Sequence, residues 1–379
     1  MSNKVEIFCN DNLIDSFNDF SLTKSIENFC NSFSFTITNK MANDIFLAEG
    51  SRIRISVAGE NQFIGLVESI NHSQTSNSHS ITVQGRDKTG ELIDSYIIAK
   101  QYKQNDFLKL LRLVLNDNGY QSIKITSDIK ILPKLVGKSF IPEKEEKIFS
   151  FIDRLAKQLR VILITDSDGD ILITREGADL AVGGLDASNN IISTSLDVDT
   201  SESYKYIKII GNIKTDQSKK RLTQGKEIID ERSQTNKRLI VNIGNNTNRQ
   251  NIESIANWYM AVKRGKGARY NATVQGFLTN NTTGLLWQAN TTVILKDSKK
   301  GINGLFLIQN VNYSQSLEGS KTDLILCNIG SFTDFDNNPF LSAQISKFFK
   351  ITTGDLASKY RYTADKNPLL SVAGEFFKI

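Results

Sequence analysis

Two stretches of this chain echo each other across about 240 residues. The first carries Leu47, Ile53, Ile55, Val67, Ile70, Asn71, Ser73 and Gln74, then Ile81 and Val83. The second carries Trp287, Val293, Leu295, Ile308, Val311, Asn312, Ser314 and Gln315, then Leu324 and Leu326. The offset is 240 at first, then 241, then 243, as loops differing by a residue or two produce. Within each copy the apolar positions mostly alternate with polar ones, the pattern of half-buried β-strands. Duplication and chance recurrence of alternation among unrelated strands both yield such a match. Under duplication the chain holds two like β units, and three copies then present six similar positions.

The remaining strand patterns extend this reading. Val5 to Phe8, Ser34 to Thr38, Arg52 to Val57, Phe63 to Asn71 and Ser80 to Gln84 read as strands separated by polar turns such as Asn10-Asp11-Asn12. Residues 1–100 are thus expected to form a first small β-barrel or sandwich. Residues 101–189 change character and read as an α+β insert. There Asn105 can cap a helix through Phe107, Leu111 and Leu115 that ends at Asn118-Gly119. A second helix is expected directly after Pro142, with Glu143, Glu145 and Glu146 in its first turn, followed by a hairpin turning at Asp166 to Asp170. Residues 190–330 return to β with one amphipathic helix from Asn248 to about Lys263, and Thr215 to Arg221 reads as a polar loop. Residues 331–379 are expected to be a C-terminal tail packed on the chain or a segment contacting a partner. The fold class is therefore mainly β with an α+β insert joining two β domains.

Composition bounds the function. The chain has 379 residues, 39% hydrophobic and 23% charged, with a formal net charge of +5, which suits several soluble domains rather than a nucleic-acid binder. No apolar run is long enough to cross a membrane, and the N-terminus reads straight into a strand without a signal peptide. Cys9, Cys30 and Cys327 form no CxxC pair and read as buried thiols of a protein made in a reducing cytoplasm.

Chemical motifs are weak. Asp166-Ser167-Asp168-Gly169-Asp170 lacks the sixth-position glycine and twelfth-position glutamate of an EF-hand and reads as a turn. The only two histidines, His72 and His79, flank one polar turn, which argues against a zinc site and against a histidine-dependent nucleophile. Lys263-Arg264-Gly265-Lys266-Gly267 follows a helix instead of opening one, so it is no phosphate loop. No catalytic, cofactor-binding or metal-binding residue is expected. The most distinctive local sequence is Gln84-Gly85-Arg86-Asp87-Lys88-Thr89, followed by Leu92-Ile93-Asp94. It reads as a structural corner under the barrel, or as an intersubunit salt bridge through Arg86, Asp87 and Lys88.

At this corner the chain resembles the baseplate hub proteins of Mu-like contractile-tailed phages, the tail hub or late control protein D family. The resemblance rests on Ser21 to Glu27 with Phe33 and Phe35, on the Gly85-Arg86-Asp87-Lys88-Thr89 corner with Leu92-Ile93-Asp94, on the insert, and on Gly284-Leu285-Leu286-Trp287 with Asn290 and Val293. It spans about residues 1–330 and leaves the tail unmatched. It implies two tail-tube-like β-barrels and a homotrimeric ring that joins a six-fold tail tube to a three-fold central spike. The ring would enclose a channel passing the tape-measure protein and DNA. It also implies a place in the virion among other baseplate proteins, assembly in the host bacterial cytoplasm, no stable membrane insertion and no enzyme activity. A carbohydrate-binding or adhesin-like β protein is the alternative, for which Trp258 or Trp287 would have to be exposed in a groove. A hub carrying cell-wall hydrolase activity is a third, and no catalytic-looking insertion favours it.

Overall fold

A computed structural model describes residues 4–332, apart from 15, 39–46, 77–78, 138, 178, 200, 202, 215–220, 232, 234, 246–248, 266 and 280–284. The strands of the first unit are β1 (Val5–Cys9), β2 (Asn12–Ile14), β3 (Asp19–Ser25), β4 (Ser32–Thr38), β5 (Arg52–Val57), β6 (Glu60–Gln74) and β7 (His79–Asp87). The insert follows with α1 (Gly90–Asp94), α2 (Phe107–Asp117), β8 (Ile125–Ser127), α3 (Ile148–Leu159), β9 (Ile162–Thr165) and β10 (Ile171–Thr174). Next come β11 (Asp179–Asp186), β12 (Ile191–Val198), β13 (Tyr206–Lys214), β14 (Arg221–Ile229), β15 (Arg238–Asn245) and α4 (Arg249–Gly265). The chain then forms β16 (Ala268–Gln275), β17 (Thr291–Asp297), β18 (Ile302–Ser316) and β19 (Gly319–Asn328).

Alternation drives the strands as expected. Phe33, Phe35 and Ile37 are buried on β4 while Ser32 is exposed and Ser34 and Thr36 half-buried; Ile53 and Ile55 are buried on β5 while Arg52 points out. The β1–β2 turn places Asn10 and Asp11 at φ 46° and 66°, the left-handed region these two residue types tolerate.

The strands of both units belong to one sheet. Among the described residues one thirteen-stranded sheet runs β12-β16-β19-β18-β3-β4-β7-β6-β5-β1-β2, with β17 beside β18 and β11 beside β17. The join is β18 to β3, antiparallel from Asn310↔Ser25 to Gln315↔Phe20. One hydrophobic core then serves both units, from Ile7, Leu22, Phe35 and Phe63 to Trp287, Val293, Phe306 and Tyr313.

The echo corresponds to real strands. β5-β6-β7 and β17-β18-β19 are both antiparallel meanders, and each carries a bulge at the same place. The pairing shifts between Val67/Ser69 on β6 and between Ile308/Asn310 on β18. The partner strand corrects the last part of the echo. Ile70 pairs with Val83 and Val311 pairs with Leu324, so Val83 matches Leu324 rather than Leu326. A two-residue slip keeps every side chain on its own face, so alternation alone cannot detect it.

The insert has its own core of Leu110, Leu111, Phe151, Ile152, Leu155 and Ile173. Two boundaries differ from expectation. Asp106, not Asn105, caps α2, its carboxylate accepting from Lys109 N at 3.1 Å. α3 starts at Ile148, so Glu143, Glu145 and Glu146 precede the helix. Glu146 is instead held by both nitrogens of the Arg154 fork at 2.9 Å. Within 190–330, β14-β13-β15 form a separate sheet covered by α4 through Ile207, Ile209, Ile252 and Ile255. Of the expected loop at 215–221, Arg221 opens β14 and the rest lies outside the described residues, as does the stretch from 333 to 379.

Leu22 sits fully buried beside the β18–β3 join. Leu22→Ala is expected to cost about 2–5 kcal/mol of unfolding free energy in urea titration, while Ser21→Ala, on the opposite face of the same strand, stays within about 0.5 kcal/mol.

Candidate functional site, a joined polar sheet and its corner

Eight strands of the large sheet form two consecutive sets of four, β12-β16-β19-β18 and β3-β4-β7-β6. One face is the shared core. The other is a carpet of hydroxyl and amide side chains. One row across it reads Gln275, Lys321, Ser314, Ser21, Ser34, Gln84 and Ser69, one residue per strand from β16 to β6. A second row reads Ser193, Thr273, Asp323, Asn312, Thr23 and Ser32. Neighbours in these rows bond across the strands. The Thr273 hydroxyl donates to Asp323 at 2.7 Å, and Asn312 Nδ2 donates to Asp323 at 3.3 Å. The Thr23 hydroxyl donates to Asn312 Oδ1 at 3.1 Å, carrying the ladder over the join between the two units. Such cross-strand polar pairs each add a few tenths of a kcal/mol, about 0.2–1, and fix register.

The corner holds the insert to this sheet. Gly85 approaches β6 so closely that a Cβ there would lie 2.0 Å from the Leu66 carbonyl oxygen, which explains glycine at this position. The three residues that follow bond within the chain. Arg86 bridges Glu68 at 2.7 Å and Asp94 at 2.5 Å, which holds its guanidinium firmly protonated. Asp87 is buried; its carboxylate accepts from Asn31 N at 2.7 Å and from the Thr89 hydroxyl at 2.5 Å. Thr89 also bonds the Thr165 hydroxyl at 2.7 Å, tying the corner to β9. Lys88 pairs with Asp170 at 2.5 Å.

The Asp166–Asp170 segment is a hairpin turn that docks on the corner. Asp166 Oδ1 accepts from the backbone N–H groups of Asp168 and Asp170, both at 2.9 Å. Asn61 Nδ2 donates to the Ser167 carbonyl oxygen at 3.0 Å, and the buried Lys24 ammonium donates to Ser167 Oγ at 3.2 Å and Gln62 Oε1 at 3.1 Å. Gln288 Nε2 reaches the same Gln62 oxygen at 3.1 Å, so both β units and the insert meet at this point. Sequence reasoning found the Arg-Asp-Lys triplet but missed Lys24, Gln62 and Asn31. Their partners lie 38 to 226 residues away, and no local pattern marks them.

The remaining motifs find structural places. Trp258 and Trp287 are both buried, and the Trp258 indole N–H donates to the Phe332 carbonyl oxygen at 2.9 Å, so neither lines an open groove. His72 and His79 stack with ring centroids 6.0 Å apart across the β6–β7 hairpin. Cys9 and Cys327 are buried and Cys30 is partly exposed.

Burial moves the two central charges in opposite directions. Loss of hydration raises Asp87 from 3.8 to about 6, outweighing its hydrogen bonds. Loss of hydration lowers Lys24 from 10.5 to about 8, against the opposing attraction of Asp166 and Asp87. Between pH 4 and 6 the folded chain keeps the Asp87 proton that the unfolded chain has lost, so stability from this group is present below pH 4 and lost as pH rises through 6. Lys24 works at the other end, where stability is regained as pH rises from 8 towards 10.5. Urea unfolding of wild type and Asp87→Asn across pH 4 to 7 is expected to show wild type losing up to about 3 kcal/mol relative to the variant.

The same architecture occurs in known proteins. The baseplate hub protein gp44 of Escherichia phage Mu is 21% identical over 312 residues, covering 80% of this chain and 81% of that protein. The 43 kDa tail protein of prophage MuSo2 from Shewanella oneidensis superposes with a TM-score of 0.73 at 21% identity, covering 88% of this chain and all of that one. A tail protein from Neisseria meningitidis MC58 superposes at 0.72 with 18% identity, covering 86% and 97%. Residues 4–87, which hold β1 to β7, match the N-terminal domain of the Mu phage baseplate assembly protein GpP-like family, and residues 248–334, which hold α4 to β19, match the fourth domain of Mu phage baseplate assembly protein GpP, and both matches bear out the resemblance read from the sequence.

Proposed function

We propose that this chain is a structural baseplate hub of a Mu-like contractile tail, three copies of which form a ring joining a six-fold tail tube to a three-fold central spike. The observation that carries the reading is the pair of like four-stranded units joined edge to edge within one chain. Two units per chain and three chains make six similar positions, and a ring of such positions satisfies a six-fold partner on one side while remaining three-fold on the other. The name of the phage Mu relative, a baseplate hub protein, agrees with this assignment.

The hydroxyl and amide carpet is the channel wall in this arrangement. The rows across it are mostly uncharged, and Lys321 on β19 is paired with Glu318 at 3.2 Å. A near-neutral polar wall gives a passing polyanion little to exchange for its counterions, so DNA in transit is not held. The net charge of +5 therefore belongs elsewhere on the molecule. Of the triplet expected at a subunit contact, Arg86 is the residue we assign there. It stands with Glu68 where β6 passes beyond the end of β5, while Asp87 and Lys88 lock the insert. The partners are further copies of this chain, the tube and spike proteins and other baseplate proteins. The particle is the virion, assembled in the bacterial cytoplasm, and the role is scaffolding without catalysis.

Light scattering on a sizing column across a concentration series tests the ring. The expected mass is near three times 42.4 kDa. A monomer at every concentration, with and without the candidate spike protein, overturns the reading.

A further inference from the structure

Beyond β19 the backbone of Gly330 to Phe332 is held from two sides. The fully buried Glu176 carboxylate accepts from Gly330 N at 2.5 Å and from Phe332 N at 2.7 Å. On the other side the Trp258 indole of α4 donates to the Phe332 carbonyl oxygen. A buried carboxylate is costly unless its oxygens are bonded, so these contacts fix the point from which the following residues start. That point lies beside a cleft. Trp258 meets Tyr259 edge to face with ring centroids 5.0 Å apart, and Tyr259 is one wall of a cleft of about 350 Å³ between α3 and α4.

The cleft suits a peptide with aromatic side chains. Its apolar lining is Phe149 beside α3's first turn, Ile243 of β15, and Ile255 and Tyr259 of α4. Its cations already have partners. Arg154 forks onto Glu146, and Lys157 lies 2.6 Å from Asp153, so an anionic ligand would have to break ion pairs to enter. Gln158 also lines the cleft. It is 7% exposed, and its Oε1 has no hydrogen-bond partner among the described residues. A buried acceptor of this kind requires a donor, which a backbone N–H or a lysine supplies. The chain carries a peptide of that composition in two identical copies, Phe348-Phe349-Lys350-Ile351 and Phe376-Phe377-Lys378-Ile379. Both lie outside the described residues.

We propose that the cleft between α3 and α4 is the docking site for Phe348-Phe349-Lys350-Ile351 of the same chain. The two rings cover Phe149, Ile243 and Ile255, and Lys350 stands at the rim with Glu146 and Asp153. Phe348 is sixteen residues beyond Phe332, an extended reach of roughly 50 Å, which is ample for a cleft one ring away from the exit. Phe376 is forty-four residues beyond the same point. Effective concentration falls roughly as the −3/2 power of tether length, so the first copy is favoured about 5-fold over the second. Docking fastens the insert to the β13-β14-β15 sheet and its helix, which have separate cores. The proposal does not depend on the ring.

Photocrosslinking in the full chain tests it. Phe349→p-benzoylphenylalanine keeps an aromatic ring, and irradiation is expected to link it within one chain to α3 or to residues 242–259. Ser150→Arg, at an exposed position lining the cleft, fills the space from its rim and is expected to reduce that link about 10-fold. The same photoreactive residue at Phe377 is expected to link there about 5-fold less. A second measurement uses a fluorescent peptide of residues 346–353. It is expected to bind the full chain carrying Phe348→Ser, Phe349→Ser, Phe376→Ser and Phe377→Ser, and to bind wild type about 10-fold more weakly because the cleft is already filled. Links elsewhere in the chain, links only between copies, or a link that Ser150→Arg leaves unchanged overturns the docking. So does a peptide that binds neither protein or binds both equally.

Discussion

The pairing of β18 with β3 is the contact on which the rest of the molecule depends. It joins segments 289 residues apart at Thr23 and Asn312, so its loop-closure cost is large and must be met by what it buries. What it buries is a core held in common. Leu22, Val311 and Tyr313 are all fully covered, and the Tyr313 hydroxyl donates to the Trp287 carbonyl oxygen within that core. Without the join each four-stranded set would expose another long edge and half of its apolar face. With it, the insert between the two units is captive. Ile162 and Ile164 on β9 pack on Ile26, Leu307, Cys327 and Phe332, a small cluster drawn from both units.

The corner shows how that captivity is enforced. Arg86, Asp87 and Lys88 were conspicuous in the sequence because a charged triplet follows a strand without a break. Their geometry divides them. Asp87 faces inward and accepts from Asn31 and Thr89, Lys88 reaches the insert hairpin at Asp170, and Arg86 stays at the surface with Glu68. Alternation explains this division, since consecutive residues at the end of a strand point to opposite sides. The buried Lys24 is the other half of the arrangement. Its ammonium sits where β3, β6 and the hairpin turn converge, with Gln62 and Ser167 as acceptors. A buried charge of this kind contributes little net stability, but an alternative packing that left it unpaired would be costly. It therefore favours one seating of the insert.

The legible part of the fold was that written in short periods. Strand alternation identified β4, β5, β6, β7, β17, β18 and β19, and helical spacing identified α2, α3 and α4. The echo identified the two meanders. Less legible was anything set by distant partners. The helix α3 begins at Ile148 and Glu146 before it is held by Arg154, whereas helix-dipole reasoning placed Glu146 inside the first turn. β12 carries Ser193, Thr194, Ser195 and Asp197 between its apolar residues, and no strand was marked there by its own sequence; β16 lies beside it. The sharing of one sheet by two units was invisible for the same reason, because which edge meets which is decided in three dimensions.

The imperfect echo has a physical basis in how the two cores are filled. On β6 the sequence is Phe63-Ile64-Gly65; at the matching place on β18 it is Gly304-Leu305-Phe306. The pairings Ile55↔Phe63 and Ile53↔Gly65 correspond to Leu295↔Gly304 and Val293↔Phe306. One aromatic ring and one glycine have exchanged places two residues apart on the same face. Both rings are essentially fully buried, Phe63 at 1% and Phe306 at 0% exposure. Total volume is kept, which is the substitution a close-packed core tolerates best. Each arrangement then obliges its own surroundings. Gly65 and Gly85 let the β6 and β7 backbones close on each other beneath Phe33 and Phe63, whose rings meet edge to face at 5.1 Å. In the second unit Leu326 stands where Gly85 stands in the first, and Phe306 fills the space from the other strand. Strand pairing, bulge and edge polarity are common to both units, whereas the side chains that pack them have diverged. A relation of this kind survives in the Asn-x-Ser-Gln segments at residues 71–74 and 312–315 because those residues serve the strand edge and the polar face, which do not depend on how each core is filled.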